Sequence, residues 1–316
     1  VIFVALNYEL LGDLHPKKLT GIAIKKEQGT LVATQLYPER AFPEWSGYYK
    51  TYNDVAFGHM APEVAEGGED QLLNTTYSES SFTMKEYRFG GKISERAINF
   101  LLAKDSSQAV SAGQSLVQDE IEFLAETIAL REEKIIIDAI IADGSTDTDV
   151  EVTTAWSSSS STPIKDMRDA TRLIKSIQHV EPDTLVINPQ VEMDLLTHTD
   201  ITDIVKYNGS VGIGASVVTN QGVSRSVPRI AGLDVIVSDA VTCTGITAAS
   251  TETMVIGNTR AIIMKRGNYT GVTYVAEPLQ VRRWGEEGSR SVRVQMFKSF
   301  VPVTFRSKAI SNIIGV

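Results

Sequence analysis

One helical pattern constrains this chain more than any other feature. From about residue 106 to residue 142, Val117, Ile121, Leu124, Ile128 and Ile135 recur at steps of four, three, four and seven, with Arg131 in the intervening slot. Asp119, Glu120, Glu122, Glu126, Glu132, Glu133 and Lys134 fall between them and, with Arg131, read as a charged face. An apolar stripe opposed by a charged face predicts an amphipathic helix. About 35 residues at ~1.5 Å each make it roughly 50 Å long, well beyond the average helix. Asp143 and Gly144 end it. A coiled coil is the competing reading, but the apolar repeat is too short to sustain one.

The second oversized element precedes the helix. Residues 58–81 are polar and acidic and centre on Gly67 and Gly68, with Glu63, Glu66, Glu69 and Asp70 around them. Strand-like pieces flank the stretch, residues 51–57 on one side and 82–93 on the other, which describes a very long hairpin. A structureless loop of more than ~15 residues is uncommon inside a compact domain and is usually functional. Arms of about eleven residues at ~3.3 Å each project about 35 Å, so the hairpin needs a neighbouring molecule to lie on.

The rest of the chain divides by texture. Residues 1–34 mix short apolar runs with the lysine pairs Lys17–Lys18 and Lys25–Lys26 and read as an extended arm. Tyr37, Phe42, Trp45, Tyr48, Tyr49 and Tyr52 stand beside Pro38 and Pro43, which break any helix there; a loop packed on a core is expected. Ser94 caps a short helix over residues 95–102. After a serine patch at residues 157–161 the texture alternates between helix and strand. Helices are predicted over 164–177 and 190–197, and a buried strand over 184–187 with Asn188-Pro189 as a turn. Tyr207, Gly209, Gly212, Gly214 and Gly222 mark a glycine-rich loop with little core. Strands are predicted over 230–238, 253–265 (broken by a Gly257-Asn258 hairpin turn), 272–281 and 291–305.

Composition excludes several function classes. Hydrophobic residues make up 42% and charged residues 22%, as in a folded protein. No apolar run approaches the ~18 residues of a bilayer span, so no membrane partner is expected. Val1–Leu6 is apolar, but it lacks the preceding positive charge and following small-residue site of a signal peptide. The single Cys243 rules out an internal disulfide. A net charge of −9 is not the basic footprint of a dedicated nucleic-acid binder, so contact with DNA should be weak, non-specific and local. His15, His59, His179 and His198 show no metal-ligand spacing, and the Gly209 run is GxxGxG and not a dinucleotide fingerprint. The DGSTDTD loop lacks the full calcium pattern, and the serine patch suggests no base. No enzyme, metal or cofactor is predicted.

In their order and lengths these pieces resemble the Hong Kong 97 type major capsid proteins of tailed double-stranded DNA phages and their encapsulin relatives. The matching parts are the hairpin VAEGGEDQLLNTTYSESSFTMKEYRFGGKIS, the helix QSLVQDEIEFLAETIALREEKIIIDAII, the segments TLVINPQVEMDLL and IAGLDVIVS, and the strand SVRVQMFKSFVPVTF. The resemblance implies an α+β fold with an N-terminal arm (1–50), an extended β-hairpin loop (51–93) and a peripheral domain with a spine helix (94–142). An axial mixed α/β domain (143–278) and return strands to the peripheral domain (279–316) follow. It implies an icosahedral shell of pentamers and hexamers around a phage genome, with the loop of Tyr207, Gly209, Gly212, Gly214 and Gly222 near a symmetry axis. Portal, scaffolding and decoration or cementing proteins are the further partners it implies. Some members cross-link through a lysine of the extended loop. Residues 63–81 contain no lysine, the nearest being Lys85 and Lys92, so no cross-link is expected here. The acidic tip should face basic residues of an adjacent subunit, with Arg282, Arg283, Arg290 and Arg293 as the densest candidate cluster. The alternatives are an encapsulin shell around a cargo enzyme and a structural tail or decoration protein.

Overall fold

The computed structural model describes residues 32–52, 63, 77–94, 96, 109–202, 229–243, 252–286 and 290–316. The expectations for the arm before residue 32, the short helix after Ser94 and the glycine-rich loop lie outside these residues. In chain order come α1 (Ala33–Leu36), β1 (Glu39–Ala41), β2 (Ser46–Tyr52), β3 (Tyr77–Thr83), β4 (Lys85–Ser94) and the long helix α2 (Ala109–Asp143). Next are β5 (Val150–Glu151), α3 (Pro163–Gln178), β6 (Thr184–Ile187), α4 (Pro189–Thr197), β7 (Arg229–Ile230), β8 (Leu233–Val237), β9 (Val241–Cys243) and β10 (Glu252–Met254). The chain closes with β11 (Arg260–Met264), β12 (Gly271–Glu286), β13 (Ser291–Thr304) and β14 (Ile310–Ile314).

Two larger sheets organise the described residues. A four-stranded sheet runs β1-β12-β13-β4, and a six-stranded sheet runs β5-β14-β11-β6-β8-β7. In the six-stranded sheet Leu185, Ile187, Ala261, Ile263 and Ile313 pack with α3 and α4, and Trp156 joins that core. Val186, Ile262, Met264 and Ile310 point the other way, onto Leu36, Tyr37 and the second half of α2. Successive strand residues face opposite sides of a sheet, and both sides are covered here. That explains why residues 184–187 are all buried. The first half of α2 packs Val117, Ile121, Leu124 and Ile128 on Ile93, Val281, Val292, Val294 and Met296 of the four-stranded sheet. One helix therefore belongs to two cores.

That double role corrects the helical stripe. Ile136, Ile137 and Ile140 are fully buried, whereas Ile135 is only half-buried. The slot after Ile128 is filled by Glu132, at 0% exposure, and not by Arg131. The buried face swings around the helix because its two halves meet different sheets.

The hairpin is also corrected. Its ladder pairs Ser46–Tyr52 with Tyr77–Thr83, from Ser46↔Thr83 to Tyr52↔Tyr77. It thus begins five residues earlier than expected, in the aromatic stretch read as a loop. The strand read over 82–93 is two strands separated by Met84, since β4 leaves the hairpin to pair with β13. Asn188 is not a turn residue but the cap of α4: its Oδ1 accepts the Val191 N–H at 2.8 Å, and Pro189 takes the first helical turn. The strand expected over 230–238 is a tight hairpin, β7–β8, whose turn residues Ala231 and Gly232 have φ of 51° and 89°. Gly257-Asn258 makes no hairpin, because β10 pairs with β9 while β11 pairs with β14 and β6. The last strand, β14, joins β11 and β5 in the six-stranded sheet, so the chain end does not return whole to the sheet at the hairpin base.

Candidate assembly surface

The hairpin is held only at its base. Phe42, Tyr49 and Phe82 cluster with Tyr274 and Phe305 of the four-stranded sheet region. Phe82 stacks on Tyr274 at 5.0 Å and meets Phe42 edge-on at 5.2 Å. Gly47 makes room for this cluster, since a Cβ there would sit 2.9 Å from the Phe82 ring. Beyond the cluster the ribbon is open: Tyr48 is 80% exposed, and Tyr77, Ser78 and Glu79 are exposed on the partner strand. Lys50 lies over the Tyr77 ring at 4.1 Å. Glu63 is exposed. Glu66, Gly67, Gly68, Glu69 and Asp70 lie outside the described residues, as do Tyr207, Gly209, Gly212, Gly214 and Gly222. Lys85 and Lys92 sit near opposite ends of β4, and Lys92 pairs with Glu286 at 3.2 Å.

The predicted basic cluster comes together at the end of the β12–β13 ribbon but divides between its faces. Cross-strand partners share a face. Arg282, Gln295 and Gly90 form one row, and Trp284, Arg293 and Lys92 the next, on the side away from α2. Arg283 shares its row with Val294 and Gly91, and Val294 is packed against α2. Arg282 covers the Phe297 ring at 4.4 Å, and Arg293 approaches Glu286 at 3.9 Å. Arg290 is exposed at the turn with φ of 44°. A cavity of about 270 Å³ opens among Gly90, Trp284, Arg293 and Gln295.

Three polar contacts that sequence reasoning missed tie the arm to both sheets. Lys298 is 2% exposed and donates to Glu132 of α2 and Glu39 of β1, each at 2.7 Å. A readable signal existed: Lys298 continues the Val292, Val294, Met296 register on the apolar face of β13. Glu133, 2% exposed, accepts the Ser238 hydroxyl and the Val32 backbone N–H. Burial raises its pKa, with Asp239 adding to the shift, and the two hydrogen bonds only partly offset it. Tyr37 donates or accepts a 2.8 Å bond with Thr304, and burial raises its phenol well above its ordinary range.

The serine patch does find a histidine. Ser161 Oγ lies 3.0 Å from His198 Nε2, with both residues buried. The polarity is wrong for a nucleophile, however. The Asp200 N–H points to His198 Nδ1 at 3.2 Å, which leaves the ring proton on Nε2, and Ser161 gives its own proton to the Ser158 carbonyl at 2.8 Å. The pair ties down a loop. Among the described residues no group of three or more His, Cys, Asp or Glu is placed to hold a metal ion, and no helix is long and apolar enough to cross a membrane.

An extended hairpin, a long helix shared by two cores and a mixed α/β sheet together define the Hong Kong 97 type shell-protein fold. The chain belongs to the phage capsid protein family, whose model matches residues 106–310. A phage-related protein from Bordetella bronchiseptica RB50 has a similar structure, with a TM-score of 0.68 at 17% identity, covering 95% of this chain and 96% of that one. The capsid structure of the cyanophage P-SCSP1u gives 0.62 at 11% identity, covering 91% and 88%. The encapsulin of the holo-SrpI complex from Synechococcus elongatus PCC 7942 gives 0.55 at 10% identity, covering 90% and 86%. No curated protein matches the chain. The role is structural, that of a major capsid protein and virion component that associates with its own copies; the encapsulin reading is not better supported.

Proposed function

We propose that this subunit assembles, as pentamers and hexamers, into a closed icosahedral shell around a double-stranded DNA genome and catalyses no reaction. The observation that carries the reading is the β2–β3 ribbon. Two strands exposed on both sides are marginally stable alone in water, and an open strand edge is an aggregation liability unless a neighbour covers it. A neighbouring copy under the ribbon resolves both problems. The acidic tip residues Glu63, Glu66, Glu69 and Asp70 then face Arg282, Arg283, Arg290 or Arg293 of that copy, while the loop of Tyr207 to Gly222 gathers near a symmetry axis. Many modest contacts add up once the shell closes. No covalent cross-link is invoked, because the loop tip lacks a lysine; a cementing protein could take that part. Portal and scaffolding proteins are the other partners in this scheme, DNA contact is weak and local, and assembly takes place in the host cytoplasm.

Negative-stain microscopy of the expressed chain tests the reading. Closed shells with nucleic acid are expected. Shells with a protein cargo would favour the encapsulin alternative, and dispersed monomers would overturn both. Charge reversal at Glu69 and Asp70 is expected to lower shell yield, more so at low salt, because exposed charges are screened over ~10 Å at 0.1 M. Unchanged yield at both salt concentrations would sink the tip pairing.

A further inference from the structure

The four arginines are not equivalent, and the difference identifies a contact that deepens the assembly reading and rests on it. Arg282 is engaged with an aromatic ring, Arg293 has a carboxylate within 3.9 Å, and Arg290 is exposed at a turn. Arg283 is half-buried, and its Nη1 is sealed from solvent with no hydrogen-bond partner among the described residues. Burial alone lowers its pKa, with no opposing contribution from a nearby carboxylate. A guanidinium does not escape such a position by losing its proton. Leaving a buried donor unmatched is destabilising, more so when it carries charge.

Its location is open to a partner. β1 borders β12 only at Thr273, Tyr274 and Val275, so among the described residues no strand lines the β12 edge beside Arg283. The chain supplies the complementary charge in abundance. It carries 39 acidic against 30 basic residues, and Glu63, Glu66, Glu69 and Asp70 fall in a stretch with no Lys or Arg between them. A partly dehydrated guanidinium still has accessible N–H donors, and it binds a carboxylate more strongly than a fully hydrated one does.

We propose that Arg283 is the anion receptor of the subunit interface, taking a carboxylate from the acidic hairpin segment 63–70 of a second copy. Arg282 and Arg293 are rim charges beside it. The protomer thus carries an unmatched cation that only the shell completes.

The test uses the full chain, dissociated from shells and reassembled, with light scattering to give the critical concentration for assembly. Arg283→Met is expected to leave the unfolding midpoint of the free subunit unchanged or higher, and to raise the critical concentration by at least about tenfold. Arg282→Met is expected to change it by less than about threefold. Arg283→Glu should fail to assemble and should recover when combined with Glu66→Arg, Glu69→Arg or Asp70→Arg. A lowered midpoint in Arg283→Met would make the residue a protomer support and overturn the proposal. Wild-type assembly by Arg283→Met, or no recovery in any charge-swapped pair, would overturn it too. In each of these cases the wild-type chain still forms shells; failure of the wild type itself would instead overturn the assembly reading.

Discussion

Glu133 is a single residue whose titration should be visible in the stability of the subunit. Burial holds its carboxyl above the ordinary value, despite hydrogen bonds from Ser238 and Val32. Between the ordinary carboxylate value and the raised one, the folded chain binds a proton that the unfolded chain has lost, so stability falls as pH rises through that window. Glu133→Gln keeps an oxygen for both donors and removes the charge. It is expected to stabilise the subunit at pH 7, with the gain shrinking as pH falls below about 4; denaturant midpoints at the two pH values check this. A second contrast concerns glycine. A Cβ at Gly271 would lie 2.6 Å from the Val303 carbonyl oxygen and from the Tyr37 ring, whereas at Gly91 it would meet only the movable carboxylate of Glu120. Gly271→Ala should cost about 1–3 kcal/mol, as overpacking does, and Gly91→Ala clearly less, by thermal melts followed with circular dichroism.

At the scale of elements, Lys298 decides how three of them meet. It lies on β13, with Glu132 on α2 and Glu39 on β1. Lys298→Met strands Glu132, at 0% exposure, without its counter-ion, and removing one partner of a buried pair costs about 3–5 kcal/mol. The double variant Lys298→Met/Glu132→Met should recover most of that loss, since a buried ion pair is often no better than well-packed hydrophobic residues. Chemical denaturation of the two variants gives the comparison. A double variant as unstable as the single one would mean that Lys298 works through Glu39 instead.

Across the whole molecule, the elements legible in the sequence were those with a sustained local period. Residues 109–143 and 163–178 form the expected helices, and the alternation of Val292, Arg293, Val294, Gln295 and Met296 is that of a half-buried strand. What escaped depends on partners distant in sequence. Glu132 looks solvated until Lys298, 166 residues later, is folded onto it. The strand at 46–52 is hidden among prolines and aromatics, because its ladder partner begins only at Tyr77. Of the candidate site, the arginine cluster was legible as composition, but its division between two faces required the register of β12 and β13. The other half of that interface belongs to a different copy, so no reading of one chain contains it.

Met84 alone separates the hairpin from the central sheet, and its N–H is fastened to the Trp45 carbonyl at 2.8 Å. Tension from a neighbour gripping the hairpin therefore passes straight into β4, along the strand. There the paired residues from Lys85↔Phe300 to Ser94↔Ser291 meet it in shear, all together. A wall joined in this way answers outward pressure with a whole ladder of bonds, and it does not peel one rung at a time.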